Sequence, residues 1–338
     1  MKEPFGILPS GEQASLYTIQ CGAMRAQISD FGATLVRLFV PDRTGKLADV
    51  VLGFPDANSY RTSTTYFGAT VGRNANRIGG AGFQLGQQQI QLEANDGSNN
   101  LHSGSGCFAF QMWTVEAWER DFITFSINSP NGDQGFPGNA QISVTYALEP
   151  GGVLRLTYEG ICDRDTVFNF TNHSYFNLAG HHKPELAMGQ LLTMPARYYT
   201  VADQQSIPTG QMRSVAGTPM DFRTPKPVGR DIGADYEALR LQGGYDHNFE
   251  VFTEPCAILS DPVSGRSMAV VTDCPGLQLY SGNYLDGEQG KDSVTYCKRG
   301  GICLETQFYP DAVHHRQWAQ PIVQAGQRYR SQTRYIFK

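Results

Sequence analysis

Apolar and polar residues alternate along this chain in segment after segment, and this two-residue period restricts the possible folds more than any other feature. The period is clearest in residues 140–148 and 154–159, where every second residue is apolar. The intervening Glu149-Pro150-Gly151-Gly152 is typical of a turn, so the two segments are predicted to form an antiparallel hairpin. The same pattern predicts further strands near residues 15–20, 24–28, 33–40, 269–272, 276–280, 302–308 and 328–337.

Helical patterns are few and short. Residues 56–63 and 231–239 are the candidates, each with an aspartate as a possible N-cap. The 338 residues include 37 Gly and 18 Pro, only 17% are charged, and no repeat or low-complexity linker is present. So many half-polar strands favour a mainly β fold, a large antiparallel β-sandwich with one sheet face left open. Although length alone suggests about two domains, we predict a single domain over residues 1–338.

Composition excludes several classes of function. The formal charge is -5 and no basic run occurs, which argues against nucleic-acid binding. No apolar run approaches 18 residues, so no membrane span is predicted, and the first ten residues lack the pattern of a signal peptide. The seven cysteines are scattered without any C-x-x-C pair, which is typical of reduced thiols in a cytoplasmic protein and argues against a zinc site.

Residues 168–178 carry the strongest functional signal. Read as one strand, the segment places Asn169, Thr171, His173 and Tyr175 on one face. A core needs no such row of hydrogen-bonding groups, because each buried polar group without a partner costs about 1–3 kcal/mol. A groove for a polar, uncharged ligand does need one. The histidine has an ordinary pKa of about 6.5, which suits proton transfer near neutrality.

A carboxylate inside an apolar strand pattern is the second functional signal. Glu305 lies next to Leu304 and shares its strand face with Cys303 and Gln307. Removing a carboxylate from water is expensive, and burial raises its pKa, which makes it a competent base nearer pH 7. An ion pair with a strand neighbour is the structural alternative, and the sequence favours the functional interpretation only slightly.

Four shorter signatures are individually typical of turns, loops or surface strands. They contain polar groups suited to binding a ligand, namely Asn76 and Arg77, His102, Asp246, and Gln278. The glycines around Asn76 resemble a phosphate-binding loop only weakly, because the spacing of the known phosphate-binding motifs is missing.

Taken together, these signatures resemble the aldose 1-epimerases, or galactose mutarotases. The resemblance follows the family's order over nearly the whole chain and rests on Ala75-Asn76-Arg77-Ile78, Leu101-His102, Asn172-His173-Ser174-Tyr175-Phe176-Asn177-Leu178, Gly244-Tyr245-Asp246-His247-Asn248-Phe249, Pro275-Gly276-Leu277-Gln278 and Leu304-Glu305-Thr306-Gln307. It implies a β-sandwich of the supersandwich type, with the site in an open cleft across one sheet.

The resemblance also implies a role for each residue. Glu305 is expected to be the general base that takes the proton from the C1 hydroxyl of a free hexose, and His173 the general acid that protonates the ring oxygen. The sugar hydroxyls are expected to be held by Asn76, Arg77, His102, Asp246 and Gln278. A small-molecule sugar is the expected partner, no cofactor or metal is expected, and a monomer or a homodimer is left open.

One segment departs from the family pattern. Family members commonly have Gly-Gly and then Gly-Phe-Asp after the histidine, whereas residues 103–109 read Ser-Gly-Ser-Gly-Cys-Phe-Ala. The change affects loop contacts near His102 and leaves the expected acid and base in place.

Two alternative enzymes stay open at this point. A glycoside hydrolase could use Asp246 and Glu305 as its two carboxylates. A hexose-6-phosphate epimerase would need additional Arg or Lys residues for a dianionic group. The sequence does not decide between galactose and glucose as the preferred sugar.

Overall fold

Three antiparallel sheets make up most of the fold in a computed structural model that describes residues 1–338. The largest has nine strands in the spatial order Thr114–Trp118, Phe122–Ser129, Ala140–Glu149, Val153–Cys162, Tyr329–Phe337, Ser267–Thr272, Ala257–Ser260, Leu191–Thr193 and Lys226–Pro227. The second has six, Tyr175–Phe176, Ile302–Gln307, Gly276–Tyr280, Asp246–Glu250, Tyr198–Ala202 and Pro208–Ser214. The third has five, Lys2–Ile7, Gln13–Cys21, Met24–Ser29, Thr34–Pro41 and Leu47–Asp49. The prediction of a mainly β fold is confirmed.

The remaining elements are short. Five two-stranded pairs join Thr70–Val71 to Thr171–Asn172, Arg77–Ile78 to Asn100–Leu101, Gly82–Leu85 to Gln88–Gln91, Thr166–Val167 to Ile322–Val323, and Glu288–Gln289 to Thr295–Tyr296. The α-helices are Ala57–Thr62 and Glu237–Gln242, and the 3-10 turns are Gly79–Ala81, Phe108–Phe110, Asp133–Gly135, Pro184–Gly189, Lys291–Ser293 and Ala312–His314. None of these helices has the length and apolar character needed to cross a membrane.

The nine-stranded sheet packs against both smaller sheets, which makes the sandwich. Against the six-stranded sheet, the ring of Tyr335 lies 5.2 Å from that of Phe176, and its hydroxyl donates to the Leu304 carbonyl at 3.3 Å. Against the five-stranded sheet, Tyr17 makes an edge contact with Trp118 at 5.2 Å. One face of the nine-stranded sheet is therefore covered by the other two sheets, and these contacts contribute to one large apolar core.

Alternation in the six-stranded sheet separates a core face from a polar face. In the strand Ile302–Gln307, Ile302 and Leu304 join the apolar core, so Cys303, Glu305 and Gln307 face the opposite side. The neighbouring strands follow the same rule, which puts Gln278 and Asp246 on the polar face as well. The polar face of this sheet is the floor of the candidate site.

Residues 168–178 do not form the single strand that the sequence predicted. Thr171–Asn172 pairs with Thr70–Val71, whereas Tyr175–Phe176 pairs with Ile302–Gln307. The break comes from Asn172, whose side-chain oxygen accepts hydrogen bonds from the Ser174 backbone N–H at 3.2 Å and the Ser174 hydroxyl at 2.6 Å. This local turn changes the strand partner at His173.

The helix predictions had mixed outcomes. Ala57–Thr62 begins as predicted, because the Asp56 side chain accepts a hydrogen bond from the Ser59 N–H at 3.0 Å. The second prediction was wrong at its start, since the helix covers Glu237–Gln242 and Asp231 does not cap it. The Asp231 carboxylate instead accepts a hydrogen bond from Lys226 Nζ at 2.7 Å.

Candidate active site

An open cleft lies over the polar face of the six-stranded sheet, with about 690 Å³ free of protein atoms and partly open to solvent. Six of the seven side chains predicted from the sequence line it, namely Asn76, Arg77, His102, His173, Asp246 and Glu305. Gln278 lies beside them in the sheet, directly opposite Glu305 in the strand register. Of the predicted row in residues 168–178, only His173 and Tyr175 line the cleft, because the turn at Asn172 redirects the chain.

Glu305 is a buried carboxylate with an unsatisfied oxygen. It is 2% exposed, and its Oε2 has no hydrogen-bond partner. Burial, together with the negative charge of Asp246, raises the pKa of Glu305 well above its usual range, and Arg77 only partly opposes this. Once ionised, the carboxylate is therefore a stronger base than an exposed glutamate, and a hydroxyl entering the cleft is the donor that it lacks.

His173 faces Glu305 across a short gap. Its Nε2 lies 3.7 Å from Glu305 Oε2, which is too long for a direct hydrogen bond. The ring stacks with Tyr66 and with Tyr175, with centroids 5.9 Å and 5.2 Å away. Burial lowers the pKa of His173 to about 4, so its protonated form is a stronger acid than an ordinary imidazolium.

Gln278 and Arg77 hold Asp246 in position. Gln278 Nε2 donates to Asp246 Oδ1 at 2.7 Å, and Arg77 Nη1 lies 4.0 Å from Asp246 Oδ2. The other side of the guanidinium pairs with Asp96 through an Nε contact of 2.7 Å. Burial raises the pKa of Asp246, whereas Arg77 and the amide of Gln278 oppose the rise. The side chains form a connected network of donors and acceptors at one end of the cleft.

Asn76 and His102 are tied to each other by reciprocal hydrogen bonds. The Asn76 N–H donates to His102 Nδ1 at 3.1 Å, and the His102 N–H donates to the Asn76 carbonyl at 3.1 Å. Because Nδ1 accepts, neutral His102 carries its proton on Nε2. Burial lowers the pKa of His102 well below its usual value, and the nearby His173 and Arg77 add to the effect. His102 is therefore a neutral hydrogen-bonding group.

Backbone conformation also sets the positions of this pair. Asn76 and His102 have φ of +65° and +53°, in the left-handed region where asparagine and histidine are enriched. Ser103, where the family commonly has glycine, also has a positive φ, +71°. Its hydroxyl contacts the Asn74 N–H at 2.8 Å and the Asn74 carbonyl at 3.0 Å. The departure from the family pattern is thus compensated by a serine that ties its loop to the segment carrying Asn76.

The cleft also contains aromatic and acidic residues that the sequence analysis did not select. They are Tyr66, Tyr280, Tyr284 and Glu288. The two-residue period gave a signal for Tyr280, because it shares a strand face with Gln278. No local pattern indicated the others, since turns and long connections bring them to the cleft.

Three potential metal ligands lie together in the cleft. Side-chain ligand atoms of His173, Cys303 and Glu305 lie within 4.8 Å of one another. Glu305 approaches Nε2 of His173, whereas Cys303 approaches Nδ1. The thiol and the carboxylate thus lie beside different nitrogens of the ring, each about 3.7 Å away. The arrangement leaves Nε2 and the carboxylate as a pair that can exchange protons with one ligand.

Comparison with known proteins gives a consistent result. The family model described as aldose 1-epimerase matches residues 15–336. The chain is 39% identical to an aldose 1-epimerase of Haemophilus influenzae and 38% identical to the galactose mutarotase of Homo sapiens, in each case over 98% of this chain and 97% of the relative.

Solved structures show the same similarity. An aldose epimerase homologue from C. elegans superposes with a TM-score of 0.88 at 28% identity, covering 96% of this chain and 99% of that one. A galactose 1-epimerase from Lactobacillus acidophilus superposes with a TM-score of 0.87 at 26% identity, covering 100% of this chain and 98% of that one.

Proposed function

The chain belongs to the aldose 1-epimerase family, and from that membership we propose that it interconverts the α and β anomers of free hexoses such as galactose and glucose. The reaction opens a cyclic hemiacetal and closes it on the other face of the carbonyl. Opening requires that a proton leave the C1 hydroxyl and that another reach the ring oxygen. Both oxygens are bonded to C1, so the base and the acid must approach one carbon from different directions.

The observation that carries the proposal is the gap of 3.7 Å between Glu305 Oε2 and His173 Nε2. The two groups are close enough to serve two oxygens of one carbon and do not hydrogen-bond to each other. We assign Glu305 as the base that accepts the C1 hydroxyl proton, and His173 as the acid that protonates the ring oxygen. After rotation about C1–C2, the same two groups return the protons in the reverse direction.

Burial favours this direction of transfer. It makes the carboxylate a stronger base and the imidazolium a stronger acid. Ring opening converts the ion pair Glu⁻/HisH⁺ into a neutral pair, which a low-dielectric cleft stabilises relative to separated charges. The active state has one exchangeable proton between Glu305 and His173. Activity should therefore follow a bell-shaped pH profile, falling where both groups are protonated and where neither is, and the two apparent pKa values of that profile belong to the pair.

A separate set of residues, the hydroxyl anchors, has the task of holding C2 to C6 while the configuration of C1 changes. We assign it to Asn76, Arg77, His102, Asp246 and Gln278, whose donors and acceptors match the dense hydroxyl groups of a neutral sugar. Charge in the cleft supports a neutral substrate. Arg77, already paired with Asp96, is the single arginine among the residues that line the cleft, and the lining also includes three carboxylates. A hexose 6-phosphate would meet net negative charge there.

Polarimetry tests the proposal directly. Freshly dissolved α-D-galactose and α-D-glucose should reach their equilibrium rotation faster with the protein than with buffer at the same pH. Release of an aryl aglycone from an aryl galactoside, without faster mutarotation, would support a hydrolase instead. Faster anomerisation of glucose 6-phosphate than of glucose would support the phosphate-specific alternative.

We further infer that the enzyme works in the cytoplasm and needs no partner in its cleft beyond the sugar. All seven cysteines are free and six of them are at least partly buried, which fits a reducing compartment. One chain supplies both the proposed base and the proposed acid, so either a monomer or a homodimer would have a complete site.

A further inference from the structure

Cys303 is the one side chain within hydrogen-bond distance of the His173 imidazole, which also interacts with the residue's own backbone. The His173 Nδ1 lies 3.7 Å from Cys303 Sγ, within the range of a sulfur hydrogen bond. Cys303 is completely buried and lies two residues before Glu305 on the same strand face. One short strand segment thus contacts both ring nitrogens of His173, the thiol at Nδ1 and the carboxylate near Nε2.

The location of the second imidazole proton matters for an acid that works in both directions. Protonated His173 carries a proton on each nitrogen and gives the Nε2 proton to the sugar. For ring closure, Nε2 must then be a free lone pair, so the neutral ring must keep its proton on Nδ1. A neutral ring protonated on Nε2 would present the wrong group to the sugar.

We propose that Cys303 is a positioning residue whose sulfur accepts a hydrogen bond from Nδ1–H of His173 and so keeps Nε2 as the nitrogen that exchanges its proton with the sugar. The inference rests on the proposed role of His173 as the acid. Stacking with Tyr66 and with Tyr175 holds the plane of the His173 ring, and the contact with the Cys303 sulfur sets the tautomer of that ring.

The chemistry of sulfur suits this task. A carboxylate at Nδ1 would stabilise the imidazolium and weaken the acid, whereas a thiol is only a weak acceptor. Burial, together with the charges of Glu305 and Asp246, raises the pKa of Cys303 well above its usual range, so no thiolate forms to trap the imidazolium. The titratable groups that face His173 are the side chains of Tyr66, His102, Tyr175, Tyr280, Cys303 and Glu305.

The test combines two cysteine variants with a direct measurement of the tautomer. Nitrogen-15 NMR of protein labelled at histidine reports which ring nitrogen carries the proton, and loss of a signal in His173→Asn assigns it. Wild type at pH 7 should have its proton on Nδ1. In Cys303→Ala the proton should move to Nε2. A tenfold excess of this wrong tautomer would lower kcat about tenfold and leave KM within about twofold of the wild-type value.

A serine variant separates tautomer control from packing. Cys303→Ser keeps an acceptor, and a stronger one, so it should retain the Nδ1–H tautomer, recover most of kcat and move the acid limb of the kcat profile to higher pH. Cys256→Ala is the matched control, because Cys256 is also a buried thiol, bonded to the Val270 carbonyl at 3.3 Å and absent from the cleft. It should leave the tautomer and the profile unchanged.

Several results would overturn the inference. A wild-type proton on Nε2 at pH 7 would contradict it without any variant. An active Cys303→Ala protein with the wild-type tautomer and pH profile would also contradict it, while His173 could remain the acid. Failure of the proposed function looks different, since wild-type protein would then not accelerate mutarotation at all.

Discussion

Replacing Glu305 by glutamine should abolish most of the turnover while keeping the fold. The two side chains have nearly the same shape, and the amide cannot accept the C1 hydroxyl proton. A positioned general base contributes roughly 10²–10⁴-fold to a rate, which corresponds to about 2.7–5.5 kcal/mol of barrier. Because the hydroxyl anchors remain, we expect kcat to fall by that factor and KM to change little.

The same substitution should make the folded state more stable at alkaline pH. The pKa of Glu305 is raised in the folded state, so between its unfolded value near 4.3 and that raised value the folded state binds more protons than the unfolded state. The contribution of Glu305 to wild-type stability must therefore fall with rising pH across this window, by about 1.4 kcal/mol for each unit of the shift. Glu305→Gln removes this loss and should be the more stable protein at pH 8.

Polarimetry with α-D-galactose measures turnover, and urea unfolding at pH 5 and pH 8 measures stability. Glu250→Gln is a matched control, because Glu250 belongs to the same sheet, contacts Arg197 at 3.2 Å and does not line the cleft. It should keep wild-type activity. A folded Glu305→Gln protein with wild-type turnover would refute the assignment of the base.

Three further changes test other parts of the site. His173→Asn should lower kcat by about 10²–10⁴-fold and remove the acid limb of the pH profile, and an unchanged limb would exclude His173 as its source. Asp246→Asn should lower kcat/KM about 10–100-fold by weakening a charged hydrogen bond. It should also move the alkaline limb to lower pH, because the charge of Asp246 raises the pKa of Glu305. Burial lowers the pKa of His173, His181 and His247 to about 4, so the unfolded state binds more protons between pH 6.5 and pH 4. These histidines should therefore lower stability as pH drops through this window, by up to roughly 3 kcal/mol for fully buried His247. Because Glu305 contributes with the opposite sign above about pH 4.3, the measurement uses Glu305→Gln, in which a flat unfolding free energy would contradict these shifts.

The two-residue period was enough to predict the mainly β fold and most of the long strands. It predicted the hairpin of residues 140–159, where Val144 pairs with Tyr158 and Tyr146 with Leu156. It failed at residues 168–178, because a side-chain hydrogen bond from Ser174 to Asn172 competes with strand pairing. The start of the second helix failed for a related reason, since the Asp231 carboxylate binds Lys226 instead of capping backbone N–H groups.

The composition of the site was more predictable than its contacts. Periodicity placed Gln278 with Tyr280, and Glu305 with Cys303 and Gln307, on one face of each strand, but only the register between the strands shows that Gln278 and Glu305 lie opposite each other. The contact of Cys303 with His173 joins residues 130 positions apart, and no local pattern encodes it. Likewise, the positive φ of Tyr66 has no signal in the sequence, because tyrosine rarely adopts that conformation.

A crystal structure of Glu305→Gln with bound galactose is the most direct test of the central claim that two groups serve two oxygens of one carbon. We predict that the side chain of residue 305 lies about 2.6–3.2 Å from the C1 hydroxyl oxygen and that His173 Nε2 lies at a similar distance from the ring oxygen. A sugar whose C1 points away from both residues, or whose ring oxygen has no contact with His173, would contradict the mechanism.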